Sequence, residues 1–145
     1  MKKLFAAILL AAVTMTPALA RDTRHTLPLA EVLEMGDARV KLDGSVKFYL
    51  AGQKTPRVIA KMGEDVSNRK TNNFGKDDRT GCQWAALSAL VAFQDKAKSM
   101  GANAVIGIES YHNRVSFKSA TEYECHAGAI MAGVTLKGTY AKVAN

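Results

Sequence analysis

The sequence predicts an α+β fold in two layers, one long helix packed on a mainly antiparallel sheet in the order ββαβββ, held by a single disulfide. Three observations carry that expectation. Residues 82–100 place Cys82, Ala86, Ala89, Leu90, Phe93, Ala97 and Met100 on one stripe at helical spacing. After them come three short apolar or alternating runs, at 104–108, 121–126 and 129–136, divided by turn residues. The chain has only 2 cysteines. Cys82 falls on the helix stripe and Cys125 on one face of an alternating run, so each points toward the opposite layer.

Taken in order, residues 1–20 read as an export signal: Lys2 and Lys3, an apolar run from Leu4 to Val13, and Ala18-Leu19-Ala20 as a small-residue cleavage site. The run is shorter than the roughly 20 apolar residues of a permanent membrane span. A chain beginning at Arg21 has no cysteine at its start to carry a lipid, and is expected to be soluble in the periplasm or secreted. Its remaining 125 residues suit one domain, 21–145. Residues 21–26 are polar and read as loose. Pro28 in a first turn, with Leu29, Val32 and Leu33 before Gly36, suggests a short amphipathic helix. Residues 46–50 and 57–60 look like strands joined by a turn-rich stretch containing Gly52 and Pro56. Residues 63–81 are polar and charged and read as a long loop, the kind of segment that often carries function.

The helix 82–100 has Thr80 as a candidate N-cap and Gly101 as its stop. Trp84, Leu87 and Val91 form a second apolar patch on nearly its opposite side. Left bare, such a patch is an interface or an aggregation site, so it calls for a cover: the N-terminal segment of the chain, or else a second subunit. The continuous run Ala104-Val105-Ile106-Gly107-Ile108 reads as a central strand covered on both faces. In residues 121–126, Thr121, Tyr123 and Cys125 share one face and Glu122, Glu124 and His126 the other. Residues 129–136 put Ile130, Ala132, Val134 and Leu136 on one side, and Gly128, Gly133 and Gly138 mark close backbone approach or bulges.

Function is less sharply written. The formal charge of +7 falls to +5 without Lys2 and Lys3. Export argues against nucleic acid as a partner and favours an envelope protein or an anionic envelope component. In an oxidising compartment two lone thiols are expected to pair, and closing a loop of this length stabilises a fold by about 4 kcal/mol. No C-x-x-C marks a redox centre, no G-x-x-x-x-G-K-[ST] marks a phosphate loop, and no cofactor motif is present. Three scattered histidines offer no nucleophile–base set, and the paired carboxylates Glu64-Asp65 and Asp77-Asp78 fall in the polar stretch, where solvation is their expected role. No catalytic residue is nominated. The soft metal ligands are His112, His126, Cys82 and Cys125. Bonded cysteines are not ligands, which leaves Glu122, Glu124 and His126, on one strand face, as a weak cation site. The expected contact surfaces are Trp84, Leu87 and Val91, with Asn72, Asn73 and Phe74 in the polar stretch.

Residues 97–108, Ala97-Lys98-Ser99-Met100-Gly101-Ala102-Asn103-Ala104-Val105-Ile106-Gly107-Ile108, followed by Ala132-Gly133-Val134-Thr135-Leu136-Lys137-Gly138-Thr139-Tyr140-Ala141, resemble the small bacterial heavy-metal-binding domain family. The resemblance covers about residues 82–143. A cysteine at the helix start and another before the last strand is also similar to the folded domain of the Rcs envelope stress-sensor lipoproteins. That resemblance implies a Cys82–Cys125 bond and a link to envelope stress. This chain lacks their second cysteine pair and lipidated cysteine. Cys82-Gln83-Trp84-Ala85 with Tyr123-Glu124-Cys125-His126-Ala127-Gly128 resembles exported proteins called excinuclease ATPase subunits. Without a phosphate loop, these residues give that activity no support. The resulting expectation is a non-enzymatic periplasmic binding or interaction domain, with a metal-binding protein as the alternative and a redox protein behind both.

Overall fold

A computed structural model describes residues 20–145. The expected export signal lies outside the described residues except for its last residue, Ala20. The elements are β1 (Thr23–Pro28), α1 (Leu29–Glu34), α2 (Gly36–Lys41), β2 (Lys47–Leu50), β3 (Val58–Asn72), α3 (Asp78–Met100), β4 (Ala104–Ser110), a 3-10 turn (His112–Arg114), β5 (Glu122–Ala127) and β6 (Met131–Val143). The fold is α+β, with α3 packed on a sheet of six strands.

β6 is the spine of that sheet. Along one edge it pairs with β3, from Asn72↔Met131 to Val58↔Val143. Its other edge is shared end to end, by β5 at Ala132 and Gly133 and by β4 from Leu136 to Ala141. β1 extends the sheet beyond β5, and β2 extends it beyond β4 as the one parallel pairing among the described strands. Gly138 sits where β6 passes β4. A Cβ there would lie 2.7 Å from Val105 Cγ1, so the close approach expected of this glycine is present. β4 is buried on both faces as its sequence predicts. Gly107 (φ 60) breaks the register between Ile106 and Glu109, and Val105 and Ile108, three residues apart, both enter the core under α3. Ala104 and Ile106 instead join a smaller cluster with Ala141 and Val143.

α3 follows its predicted stripe. Cys82, Ala86, Ala89, Leu90, Phe93 and Ala97 are buried, and Cys82 is bonded to Cys125 of β5 with 5.8 Å between their Cα atoms. Gly101 ends the helix in the left-handed region, φ 77, its N–H reaching the carbonyls of Ala97 and Lys98. The N-cap is Asp77, whose side chain accepts from Thr80 N, and not Thr80 itself. The back of the helix is covered by the N-terminal segment, one of the two covers considered. Leu87 is buried in one cluster with Leu29, Val32 and Ala38, while Trp84 and Val91 stay half-buried against it. Gln94 ties the two layers of helix together: its Nε2 donates to Lys41 O at 2.9 Å and its Oε1 accepts from Asp43 N at 3.0 Å.

Four local expectations are corrected. Residues 21–26 are not loose: β1 starts at Thr23 and adds a strand, because β5 offers an unpaired edge that a polar segment can fill with backbone bonds alone. Gly36 does not end the helical region but opens α2. Residues 63–81 are not a long loop. β3 runs unbroken through Asn72, leaving only 73–77 as the connection to α3. Its Lys, Arg and Glu side chains belong to an edge strand, where charge discourages pairing with another sheet. Ile130 does not share the buried side of β6; it precedes that strand and is exposed.

Candidate functional site

Period-two alternation gives the sheet an outer face, away from α3. Ser67, Cys125 and Val134 point inward; Ser67 Oγ donates to Ala89 O of α3 at 3.0 Å. Their neighbours Val66, Asn68 and Lys70 of β3, Glu124 and His126 of β5, and Gly133 and Thr135 of β6 therefore share the outer face. Most of them border a cavity of about 750 Å³. Gly133 and Thr135 keep the floor low, exposed Val66, Ile130 and Met131 add apolar surface to the lining, and Ala20, Arg21 and Asp22 border it as well.

The opposite wall comes from the residues after β4. Tyr111 N donates to Thr135 O at 2.9 Å, and Ser110 and Phe117 exchange backbone hydrogen bonds, so the excursion between them folds back over the sheet. Asn113 (φ 50) and Arg114 (φ 63) are both left-handed, a region non-glycine residues seldom occupy in succession. This turn lays His112 on His126, with ring centroids 3.5 Å apart and planes 13° from parallel.

His126 is held from both ends. Its Nδ1 lies 3.0 Å from Asp22 Oδ1 and its Nε2 2.6 Å from Glu124 Oε1. Glu124 Oε2 also accepts from Arg24 Nη2 at 2.9 Å. Burial pushes the Glu124 carboxyl up, but the hydrogen bonds from His126 and Arg24 outweigh it and hold the group below its ordinary value. His112 is held below its ordinary value by burial and then by repulsion from His126, which favours its neutral ring. Asp22, His112 and His126 each bring one ligand atom within 4.8 Å of the others. Lys70, Arg114 and Arg21 line the cavity against the single lining carboxylate of Asp22, so its mouth is basic.

Arg21 is fixed by a second cluster at the start of α3. Its guanidinium donates to Asp78 at 2.7 and 3.0 Å and to Gly128 O at 2.9 Å. Asp78 also accepts from Asn73 Nδ2 at 3.1 Å and bonds His25 Nε2 at 2.9 Å. These partners, Arg21 first and then His25, hold its carboxyl well below the usual carboxylate range. Asp77 and Asp78 are thus a helix cap and a clamp, not loop solvation.

Of the residues singled out from sequence, Cys82 and Cys125 form a structural bond. Asn73 is buried in the clamp, while Asn72 stays exposed and turns the chain by accepting from Phe74 N at 2.8 Å, leaving the Phe74 ring exposed. Trp84, Leu87 and Val91 border a small groove beside Lys41, on the far side of α3 from the cavity. The trio Glu122, Glu124 and His126 comes apart. Glu124 and His126 meet, but Glu122, opposite Pro28 of β1, takes no part, and the groups that gather with His126 as potential ligands are Asp22 and His112. Asp22, Lys70 and Arg114 escaped sequence reasoning. For Lys70 the signal was present as the alternation Val66-x-Asn68-x-Lys70. Asp22 and Arg114 depend on a strand pairing and a turn that local patterns do not encode. Comparison with protein-family models, curated proteins and solved structures finds no match.

Proposed function

We propose that this chain is a non-enzymatic binding domain of the cell envelope, acting in the periplasm or outside the cell, and that the cavity on the open sheet face receives an anionic, partly apolar segment of an envelope partner. One observation carries this: a cavity of about 750 Å³ whose lining includes the cations Lys70 and Arg114 and the exposed apolar side chains Val66, Ile130 and Met131. Specific binding sites pair an apolar surface with a few placed polar groups, and this one does both. The Cys82–Cys125 bond supports an oxidising compartment. No helix among the described residues is long and apolar enough to cross a membrane. Among the described residues the histidine hydrogen bonds go to carboxylates, and both cysteines are bonded to each other. A link to envelope stress rests on the resemblance to the stress-sensor lipoproteins alone.

The test is crosslinking in intact cells followed by capture, comparing the native chain with Lys70→Glu/Arg114→Glu. The charge-reversed variant is expected to lose its principal crosslinked partner while Trp84→Ala keeps it. Identical crosslinking patterns for the native and charge-reversed chains would sink the proposal.

A further inference from the structure

We infer that Asp22, His112 and His126 form a binding site for a divalent transition ion, zinc or copper(II), at the N-terminal end of the cavity. Two imidazoles and one carboxylate suit such ions; magnesium and calcium prefer all-oxygen shells.

The geometry is already half built. Asp22 Oδ1 and His126 Nδ1 are 3.0 Å apart. An ion about 2.1 Å from each atom subtends an angle of about 90° between them, within reach of tetrahedral or octahedral shells. His126 has its outer nitrogen occupied: Nε2 faces Glu124 Oε1 at 2.6 Å, and Arg24 holds the other Glu124 oxygen. On binding, the ion displaces to solvent the proton that Nδ1 shares with Asp22, while a proton on Nε2, donated to Glu124, leaves the Nδ1 lone pair directed at the ion. That carboxylate–histidine arrangement is the one that orients metal-bound imidazoles. His112 supplies the third ligand, within 4.8 Å of both. Its position is set by an independent feature, the consecutive left-handed residues Asn113 and Arg114. The rings lie nearly parallel, so their lone pairs run side by side; His112 turns about its side-chain torsions, out of the stack, to aim at the ion. The remaining coordination positions open into the cavity.

Three features separate this site from the weaker trio on the β5 face. It draws ligands from three segments, excludes Glu122, and uses Glu124 to position His126 without binding the ion.

The test is calorimetric titration of the disulfide-bonded chain, free of any histidine tag, with zinc chloride and with copper chloride. One ion is expected to bind with micromolar affinity, and calcium and magnesium to give no heat. Asp22→Asn and His112→Ala should each weaken binding at least tenfold. Glu124→Gln should weaken it by about 10- to 100-fold with every ligand in place, and Glu122→Gln should change nothing. Copper electron paramagnetic resonance provides a second readout, with nitrogen couplings from two imidazoles in the native chain and from one in His112→Ala. Circular dichroism confirms that both surface variants are folded. Absence of heat with both ions overturns the inference, as does undiminished affinity in Asp22→Asn/His112→Ala.

Discussion

Opening the Cys82–Cys125 bond is expected to destabilise the domain by about 4 kcal/mol, a magnitude that follows from chain entropy. The bond spans a sequence separation of 43. At 25 °C, a closed loop of that length removes about 13 cal/mol/K from the unfolded ensemble, or about 4 kcal/mol. The folded state should change little in the comparison. Both cysteines are fully buried between α3 and β5, so two thiols occupy the same apolar space and gain no water. With a urea dependence of about 2 kcal/mol/M, typical for a small domain, the midpoint should drop by about 2 M. The assay is urea unfolding followed by the fluorescence of Trp84, the chain's 1 tryptophan. The oxidised protein is compared with the reduced protein and with Cys82→Ala/Cys125→Ala. The slope should also rise, because an unfolded chain without the crosslink exposes more surface. A stability loss under about 1 kcal/mol in both comparisons would refute the loop-entropy reasoning and leave the bond a bystander of packing.

Three further outcomes follow from the packing and the charges. Asp78→Asn should cost about 1–2 kcal/mol at neutral pH, the low part of the range for hydrogen bonds to charged groups because Arg21 is exposed. The folded carboxyl lies below its ordinary 3.8, so its contribution is full above that value and is lost as pH falls toward the folded one; the variant should flatten this acid limb in melts. His112 is likewise depressed from its ordinary 6.5, so the folded state binds its proton less readily than the unfolded state. Stability should therefore fall as pH drops from about 8 to about 5, and His112→Phe, which keeps an aromatic ring on His126, should remove that part of the slope. Gly138→Ala should cost about 1–3 kcal/mol in urea unfolding, since the added methyl overlaps the Val105 side chain on the neighbouring strand.

The helix, its stop at Gly101, the doubly buried strand 104–108 and the inward face of residues 121–126 were legible because each is written in local periodicity. The cysteine pair was legible because the compartment expected from the sequence and the phasing of helix and strand agreed. β3 was legible only at its start, in residues 57–60: an edge strand with one face in water carries few apolar residues, and Ser67, its one buried side chain, is polar. Its strand character comes from β6, which pairs with it in continuous register from Glu64 to Asn72. β1 escaped for the same reason. Thr23, Arg24, His25 and Thr26 have no strong pattern of their own, and the edge of β5 orders them. The site inherits both omissions. Asp22 enters it through β1, Lys70 through β3, and His112 through a left-handed turn that no residue type demands, since neither Asn113 nor Arg114 is glycine.

These dependencies make the N-terminal segment more than a cover for the helix. Arg21 reaches Asp78, Asp22 reaches His126, Arg24 reaches Glu124 and His25 reaches Asp78, so the charged or titratable side chains of residues 21–25 run between the helix start and the cavity. Among the described residues β1 pairs with β5 alone, and the ladder between β5 and β6 is confined to Ala132 and Gly133 of β6. The cavity end is therefore built on the part of the sheet with the fewest ladder bonds to the spine, and the disulfide joins that same β5 to α3. Placing the staple there, and not on the long β3–β6 ladder, stabilises the element that carries His126 and Glu124. Hydrogen exchange should show it: amides of β5 should lose protection on reduction well before those of β3 and β6. Uniform loss across all three strands would mean that the staple acts on the whole domain at once.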